Sequence, residues 1–68
     1  MRRLRIKELL EEKGVSQGKF SRGADIPPNT VRRMMNDPTY NPTAETLMRA
    51  ARYLGVRLDD LYTEEDGE

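Results

Sequence analysis

The chain has 68 residues, with twelve Lys or Arg against twelve Asp or Glu and with no Cys or His. A chain of this length makes one domain, which buries only about 60% of its unfolded surface and has room for one core and one site. Without Cys and His, a disulfide framework, a thiolate nucleophile and an imidazole base are excluded. We therefore expect no enzyme, no metal site and no cofactor.

The charges are unevenly distributed along the chain. Residues 1–57 contain all twelve basic residues and six acidic ones, whereas residues 58–68 contain the other six acidic residues and no basic one. A basic domain followed by an acidic tail indicates contact with nucleic acid, although charge placed for solubility is an alternative. We predict a domain over residues 1–62 and a disordered acidic tail over residues 63–68.

The sequence contains no recognisable targeting or membrane-spanning segment. Residues 1–7 lack the apolar run of a signal peptide, and no apolar stretch approaches the roughly 20 residues of a membrane span. We therefore expect a cytoplasmic location and no membrane partner.

The first half of the chain predicts two helices. Apolar side chains recur at helical spacing over residues 3–13, and Gly14 follows as a stop. Ser16 is a good N-cap for a second, short helix over residues 17–24, since a serine hydroxyl can accept a backbone N–H of the first turn.

Two further helices and a last turn follow, and no strand pattern is visible. The third helix begins at Pro28, which suits a first turn, and extends to about Asn36. A loop over residues 37–42 separates it from a fourth helix over residues 44–54. A single helical turn is predicted over residues 59–62.

The third helix has two unlike faces. On a helical wheel, Val31 and Met34 fall on one side. The opposite sector consists of Asn29, Arg32, Arg33 and Asn36. Arginine can bond guanine edges and asparagine can bond adenine edges, and both can hold phosphates. A solvated face is the alternative, but such faces usually include carboxylates, and this sector has none.

Residues at many spaced positions carry a resemblance to a known family. The sequence resembles the lambda-repressor-like helix-turn-helix family, the phage repressor and Cro group also called XRE-like, over residues 3 to 62. The matching residues are Ser16-Gln17, Phe20-Ser21, Ile26, Thr30-Val31, Arg33-Met34, Asn36, Thr43, Leu47, Ala50, Leu54-Gly55-Val56 and Leu58-Asp59-Asp60-Leu61.

The resemblance implies an all-α fold of five helices whose second and third helices read DNA. It implies base contacts from the start and the exposed face of the third helix, here Pro28, Asn29, Arg32 and Arg33. It implies phosphate contacts from Gln17, Asn36, Tyr40, Asn41 and Thr43. Ser16, at the positive end of a helix dipole, is a further phosphate candidate, with a purely capping role as the alternative.

Among the positions that depart from the family pattern, four lie in or next to the predicted second and third helices. Pro27 stands where the family usually has a capping Ser or Thr, and Pro28 has no N–H or side-chain donor, so its base contact would be apolar, for example with a thymine methyl group. Asp25 occupies a turn position usually held by Gly, and Asp tolerates left-handed geometry better than most residues. Ser21 replaces a small apolar Ala.

The sequence as a whole predicts a sequence-specific transcriptional regulator, repressor-like, that binds double-stranded DNA with the third helix in the major groove. The alternatives are a protein-interaction module that keeps the fold without reading DNA, and an antitoxin-like autoregulator. We expect a homodimer, at least on DNA, because paired half-sites raise the affinity of so small a unit. Its candidate contacts are Leu58, Tyr62 and Val56, with packing under the fourth helix as the alternative for Val56.

Overall fold

The structure is a computed structural model that describes residues 2–37 and 39–64. That part of the chain contains four α-helices, one 3₁₀ turn and two short strands. In chain order these are β1 (Arg2–Leu4), α1 (Ile6–Lys13), α2 (Gln17–Ala24), α3 (Pro28–Asn36), α4 (Ala44–Leu54), the 3₁₀ turn (Leu58–Leu61) and β2 (Tyr62–Glu64). None of the helices in these described ranges is long and apolar enough to cross a membrane.

One apolar core joins all of these helices. Its largest fully buried side chains are Phe20, Ile6, Leu10, Met34, Leu61 and Val31. They come from α1, α2, α3 and the 3₁₀ turn, and α4 contributes Ala50, Ala51 and Leu54. Because an alanine side chain ends at Cβ, the alanines allow the backbone of α4 to pack close to the other helices.

The predicted glycine stops and side-chain N-caps are confirmed. Gly14 and Gly55 end α1 and α4 with φ of 66° and 70°, in the left-handed region that favours glycine. Ser16 and Thr43 cap α2 and α4, each accepting a backbone N–H at 3.2 Å through its side-chain oxygen.

The predicted start of the first helix is wrong. α1 begins at Ile6, and the preceding residues form β1, which pairs antiparallel with β2 in the register Arg2↔Glu64, Arg3↔Thr63 and Leu4↔Tyr62. The backbone N–H of Arg5 continues this contact by donating to the carbonyl of Leu61 at 2.9 Å. Three-residue strands are too short to show alternation in the sequence, and their partners lie at opposite ends of the chain.

The prediction of five helices is also corrected. The fifth is a single 3₁₀ turn, in which the Asp60 carboxylate accepts the backbone N–H of Arg57 at 3.1 Å. Leu61 is fully buried at the end of this turn, and the chain then continues as β2. β2 includes Thr63 and Glu64, which the sequence places in the acidic tail. The remaining tail, residues 65–68, lies outside the described residues.

The turn between α2 and α3 is fixed by a reciprocal pair of hydrogen bonds. The N–H of Ile26 donates to the carbonyl of Ser21 at 3.0 Å, and the hydroxyl of Ser21 donates to the carbonyl of Ile26 at 2.6 Å. Asp25 adopts left-handed geometry with φ of 59° and ψ of 48°. The guanidinium of Arg49 on α4 donates to the carbonyl of Asp25 at 2.9 Å, which fastens the turn to the next helix.

The two glycines of α2 have different surroundings. A Cβ atom at Gly23 would lie 2.8 Å from Cδ1 of Tyr53, whose ring centroid is 5.8 Å from that of Phe20. A Cβ atom at Gly18 would meet only the flexible tip of Arg22, at 3.3 Å from Nη1. The close approach of α2 and α4 therefore depends on Gly23 and not on Gly18.

We expect opposite stability effects from the two alanine substitutions. Gly18→Ala should raise the free energy of unfolding by up to about 1 kcal/mol, because alanine has the higher helix propensity. Gly23→Ala should lower it by about 1–3 kcal/mol, because the Tyr53 ring must move. Urea unfolding followed by circular dichroism measures both. A gain in stability with Gly23→Ala would contradict the close contact between α2 and α4.

Candidate nucleic-acid interface

α3 presents two faces of opposite character. Val31 and Met34 are each 1% exposed and lie in the core. The side chains of Asn29, Arg32, Arg33 and Asn36 are all exposed on the other side. The orientation that the helical wheel predicted is therefore present in the structure. This surface, made of two amides and two guanidinium groups, is called the α3 polar face below.

The proline pair fixes the start of this helix. Pro27 has extended geometry, with φ of −57° and ψ of 142°, and α3 begins at Pro28. The carbonyl of Pro27 accepts the N–H of Val31 at 3.0 Å, but no side chain caps the helix. Pro28 is exposed at the first position, so its ring lies next to Asn29 at the leading end of the α3 polar face.

A cavity of about 200 Å³ lies between α2 and α3. Its lining residues are Gln17, Gly18, Ser21, Arg22, Pro28, Val31 and Arg32. The cavity brings together Gln17, Pro28 and Arg32, which the sequence had assigned separately to phosphate and base contacts. It also includes Arg22, which sequence analysis missed. The available signal was its position four residues after Gly18, which places both on one face of α2.

A second cluster lies where α3 joins the following loop. The guanidinium carbon of Arg33 lies 4.4 Å from the centroid of the Tyr40 ring. This distance is typical of a cation–π contact. The contact joins Arg33, which is predicted to read bases, to Tyr40, which is predicted to contact a phosphate. Tyr40 is half-buried and packs against the core, so its ring is a fixed surface against which Arg33 packs.

A carboxylate lies beside this second cluster. Asp37 Oδ1 accepts the hydroxyl of Thr39 at 2.7 Å and its backbone N–H at 3.1 Å. These two hydrogen bonds, with a smaller contribution from the charge of Arg33, hold the pKa of Asp37 below its usual value of 3.8. The α3 polar face therefore has no carboxylate of its own, but an ionised Asp37 borders it.

The other predicted phosphate contacts are more dispersed. Asn36 is exposed at the end of α3, and Asn41 is exposed in the loop. The hydroxyls of Ser16 and Thr43 are engaged as caps, and the Thr43 hydroxyl also donates to that of Thr46 at 2.9 Å. The structure thus supplies a capping role for Ser16 and Thr43, and their phosphate contacts stay a prediction.

The candidate dimer contacts differ in exposure. Leu58 is 47% exposed. Val56 and Tyr62 are partly buried against the core of their own chain, and the guanidinium carbon of Arg2 lies 4.5 Å from the centroid of the Tyr62 ring. Of the three, Leu58 offers the most apolar surface to a second protein.

The turn at Asp37 should respond to acid. Because the pKa of Asp37 is lowered in the folded state, this carboxylate contributes stability at pH values above its unfolded pKa, and the contribution is lost as pH falls through the folded pKa. NMR titration of the Asp37 carboxyl should show a midpoint below 3.8 and a parallel shift of the Thr39 amide. Thr39→Val removes the hydroxyl donor and should raise this midpoint. An unchanged midpoint would contradict the assigned hydrogen bond.

A comparison with protein families matched residues 6–61 to the helix-turn-helix family. The match begins at the first residue of α1 and ends at the last residue of the 3₁₀ turn, so it includes the four described α-helices and leaves out both strands. A search of curated proteins found no match. Membership of this family indicates a regulator that binds double-stranded DNA. The chain belongs to the helix-turn-helix family, in its lambda-repressor or XRE type.

Proposed function

We propose that this protein is a sequence-specific, repressor-like transcriptional regulator that inserts α3 into the major groove of double-stranded DNA. The observation that carries the proposal is the α3 polar face, whose two arginines and two asparagines are exposed while Val31 and Met34 anchor the helix to the core. The major groove of B-DNA is about 12 Å wide and admits one α-helix. Such a regulator would act in the cytoplasm without a cofactor and without catalysis.

Base reading is proposed for exposed side chains at the start and in the middle of α3. Asn29 and Arg33 are one helical turn apart, so that they can reach neighbouring base pairs. The amide of Asn29 suits adenine and the guanidinium of Arg33 suits guanine. Pro28 offers an apolar surface to a thymine methyl group, and Arg32 can reach either a base or a phosphate.

Contacts to the DNA backbone are proposed for a second set of polar groups. Gln17 lies at the start of α2, and Asn36 is the last residue of α3. Tyr40 and Asn41 extend the contact along the loop, with Ser16 and Thr43 at the capped ends of their helices. Contacts of this kind set the register of the protein on the duplex and carry no sequence information.

The proposed assembly on DNA is a two-fold dimer. Two half-sites about one helical turn apart would place one α3 in each of two successive major grooves. Leu58 supplies the exposed apolar contact, and its neighbours Val56 and Tyr62 would close the interface at its edge.

Selection of bound duplexes from a random pool is the first test of this function. We expect a preferred site with two related halves about 10 base pairs apart. Arg33→Ala should then cost about 1–3 kcal/mol on that site and relax the preference at one position. Gln17→Ala should weaken preferred and scrambled duplexes alike. Arg52→Ala, an exposed arginine on α4, is the charge-matched control and should leave the preference unchanged.

Equal losses on both duplexes with Asn29→Ala and with Arg33→Ala would contradict base reading by α3. Recovery of no enriched duplex would contradict the function itself and favour a module that binds protein.

Sedimentation of the complex on the selected duplex tests the dimer. The unchanged protein should bind as two copies, and Leu58→Glu should convert this complex to one copy with weaker binding, because a charge at the interface opposes its burial. Met48→Glu introduces the same charge at another exposed apolar residue, 50% exposed, and should leave two copies bound. A single bound copy of the unchanged protein on every selected site would contradict the dimer.

A further inference from the structure

The cavity between α2 and α3 is lined by two arginines from different helices. Arg22 comes from α2 and Arg32 from α3, and both are exposed. Within residues 2–37 and 39–64, neither has an ion-pair partner. No Asp or Glu is among the lining residues, so the two positive charges face one space without compensation. An anion held in this space would be attracted by both charges.

Gly18 provides the space that this arrangement needs. Arg22 lies back over the first turn of α2, so that a Cβ atom at Gly18 would be only 3.3 Å from its Nη1 atom. A glycine inside a helix costs up to about 1 kcal/mol relative to alanine. Gln17, the residue before Gly18, lines the same cavity as Arg22.

The second cavity of the described structure lacks this property. It measures about 370 Å³ and lies against α4, with Asp25, Arg49, Arg52 and Tyr53 among its lining residues. Arg49 is already compensated, because it contacts the carboxylate of Glu45 at 2.8 Å and that of Asp25 at 3.7 Å. Arg52 is the one remaining cation among its lining residues, so Arg52→Ala is the control for Arg22→Ala.

We propose that the cavity between α2 and α3 is a binding site for phosphoryl oxygens, closed by Arg22 and Arg32 and completed by the amide of Gln17. The planar fork of a guanidinium donates paired hydrogen bonds that match phosphate geometry. The volume is below the roughly 300–1,000 Å³ of pockets for drug-sized ligands, which fits one small anionic group. Where the ligand is a phosphate of DNA, this proposal rests on the proposed function. The same site also binds free inorganic phosphate.

Titration of the free protein with inorganic phosphate tests the site without DNA. With chloride exchanged for phosphate at constant ionic strength, NMR should show saturable shifts of the Gln17 and Gly18 amides and of the Arg22 and Arg32 Nε–H signals. Arg22→Ala should abolish these shifts, and Arg52→Ala should retain them. Shifts that are absent, or that are the same in Arg22→Ala, overturn binding of the free anion.

Duplex binding tests the second source of the same chemistry. The unchanged protein should bind its duplex several-fold more weakly in phosphate than in chloride at equal ionic strength, and Arg22→Ala should remove this difference. Arg22→Ala should also flatten the salt dependence by about one unit on every sequence, since one phosphate contact is lost. Arg22→Lys should restore the slope but not the full affinity, because lysine keeps the charge without the fork.

The two outcomes separate this site from the proposed function. If the protein binds its duplex and Arg22→Ala behaves like Arg52→Ala in both titrations, the site is overturned and DNA reading by α3 stands. If no duplex is bound while free phosphate binds through Arg22, the proposed function fails and the anion site stands. Gly18→Ala gives an independent check, because it should strengthen the fold while weakening phosphate binding.

Discussion

The turn between α2 and α3 is the constraint on which the rest of the structure depends. Ser21 and Ile26 exchange two hydrogen bonds across it, at 3.0 and 2.6 Å, and Asp25 between them takes up left-handed geometry. Ser21 is buried, so both bonds are protected from water and each would be costly to leave unmade. These hydrogen bonds fix how α2 packs against α3. The hydrogen bond from Arg49 to the carbonyl of Asp25 connects the turn to α4.

The packing of α2 against α3 determines which side chains lie together on the surface. With α2 and α3 held together, Arg22 and Arg32 line one cavity, and the other side chains of the α3 polar face are exposed. The guanidinium of Arg33 lies over the ring of Tyr40. Polar side chains prearranged in this way lose less conformational entropy on binding, which favours specificity for a duplex of matching shape. A small domain can therefore carry a prearranged polar surface without a large core.

Sequence analysis succeeded where the determinants are local. The two faces of α3 follow from helical periodicity, and the caps at Ser16 and Thr43 follow from side-chain chemistry within one turn. It failed where distant segments meet. The pairing of Arg3 with Thr63 joins distant parts of the chain, and the presence of Arg22 and Arg32 in one cavity depends on how α2 packs against α3. The contact of Arg33 with Tyr40 depends on the course of a loop, which no periodicity encodes.

The central claim is that α3 lies in the major groove and reads bases through its polar face. Intermolecular nuclear Overhauser effects in a complex with the selected duplex measure this contact directly. The account predicts cross-peaks from Asn29 and Arg33 to cytosine H5 and thymine methyl protons, which lie in the major groove. Cross-peaks only from α4 or the terminal strands, or only to sugar protons, would contradict it.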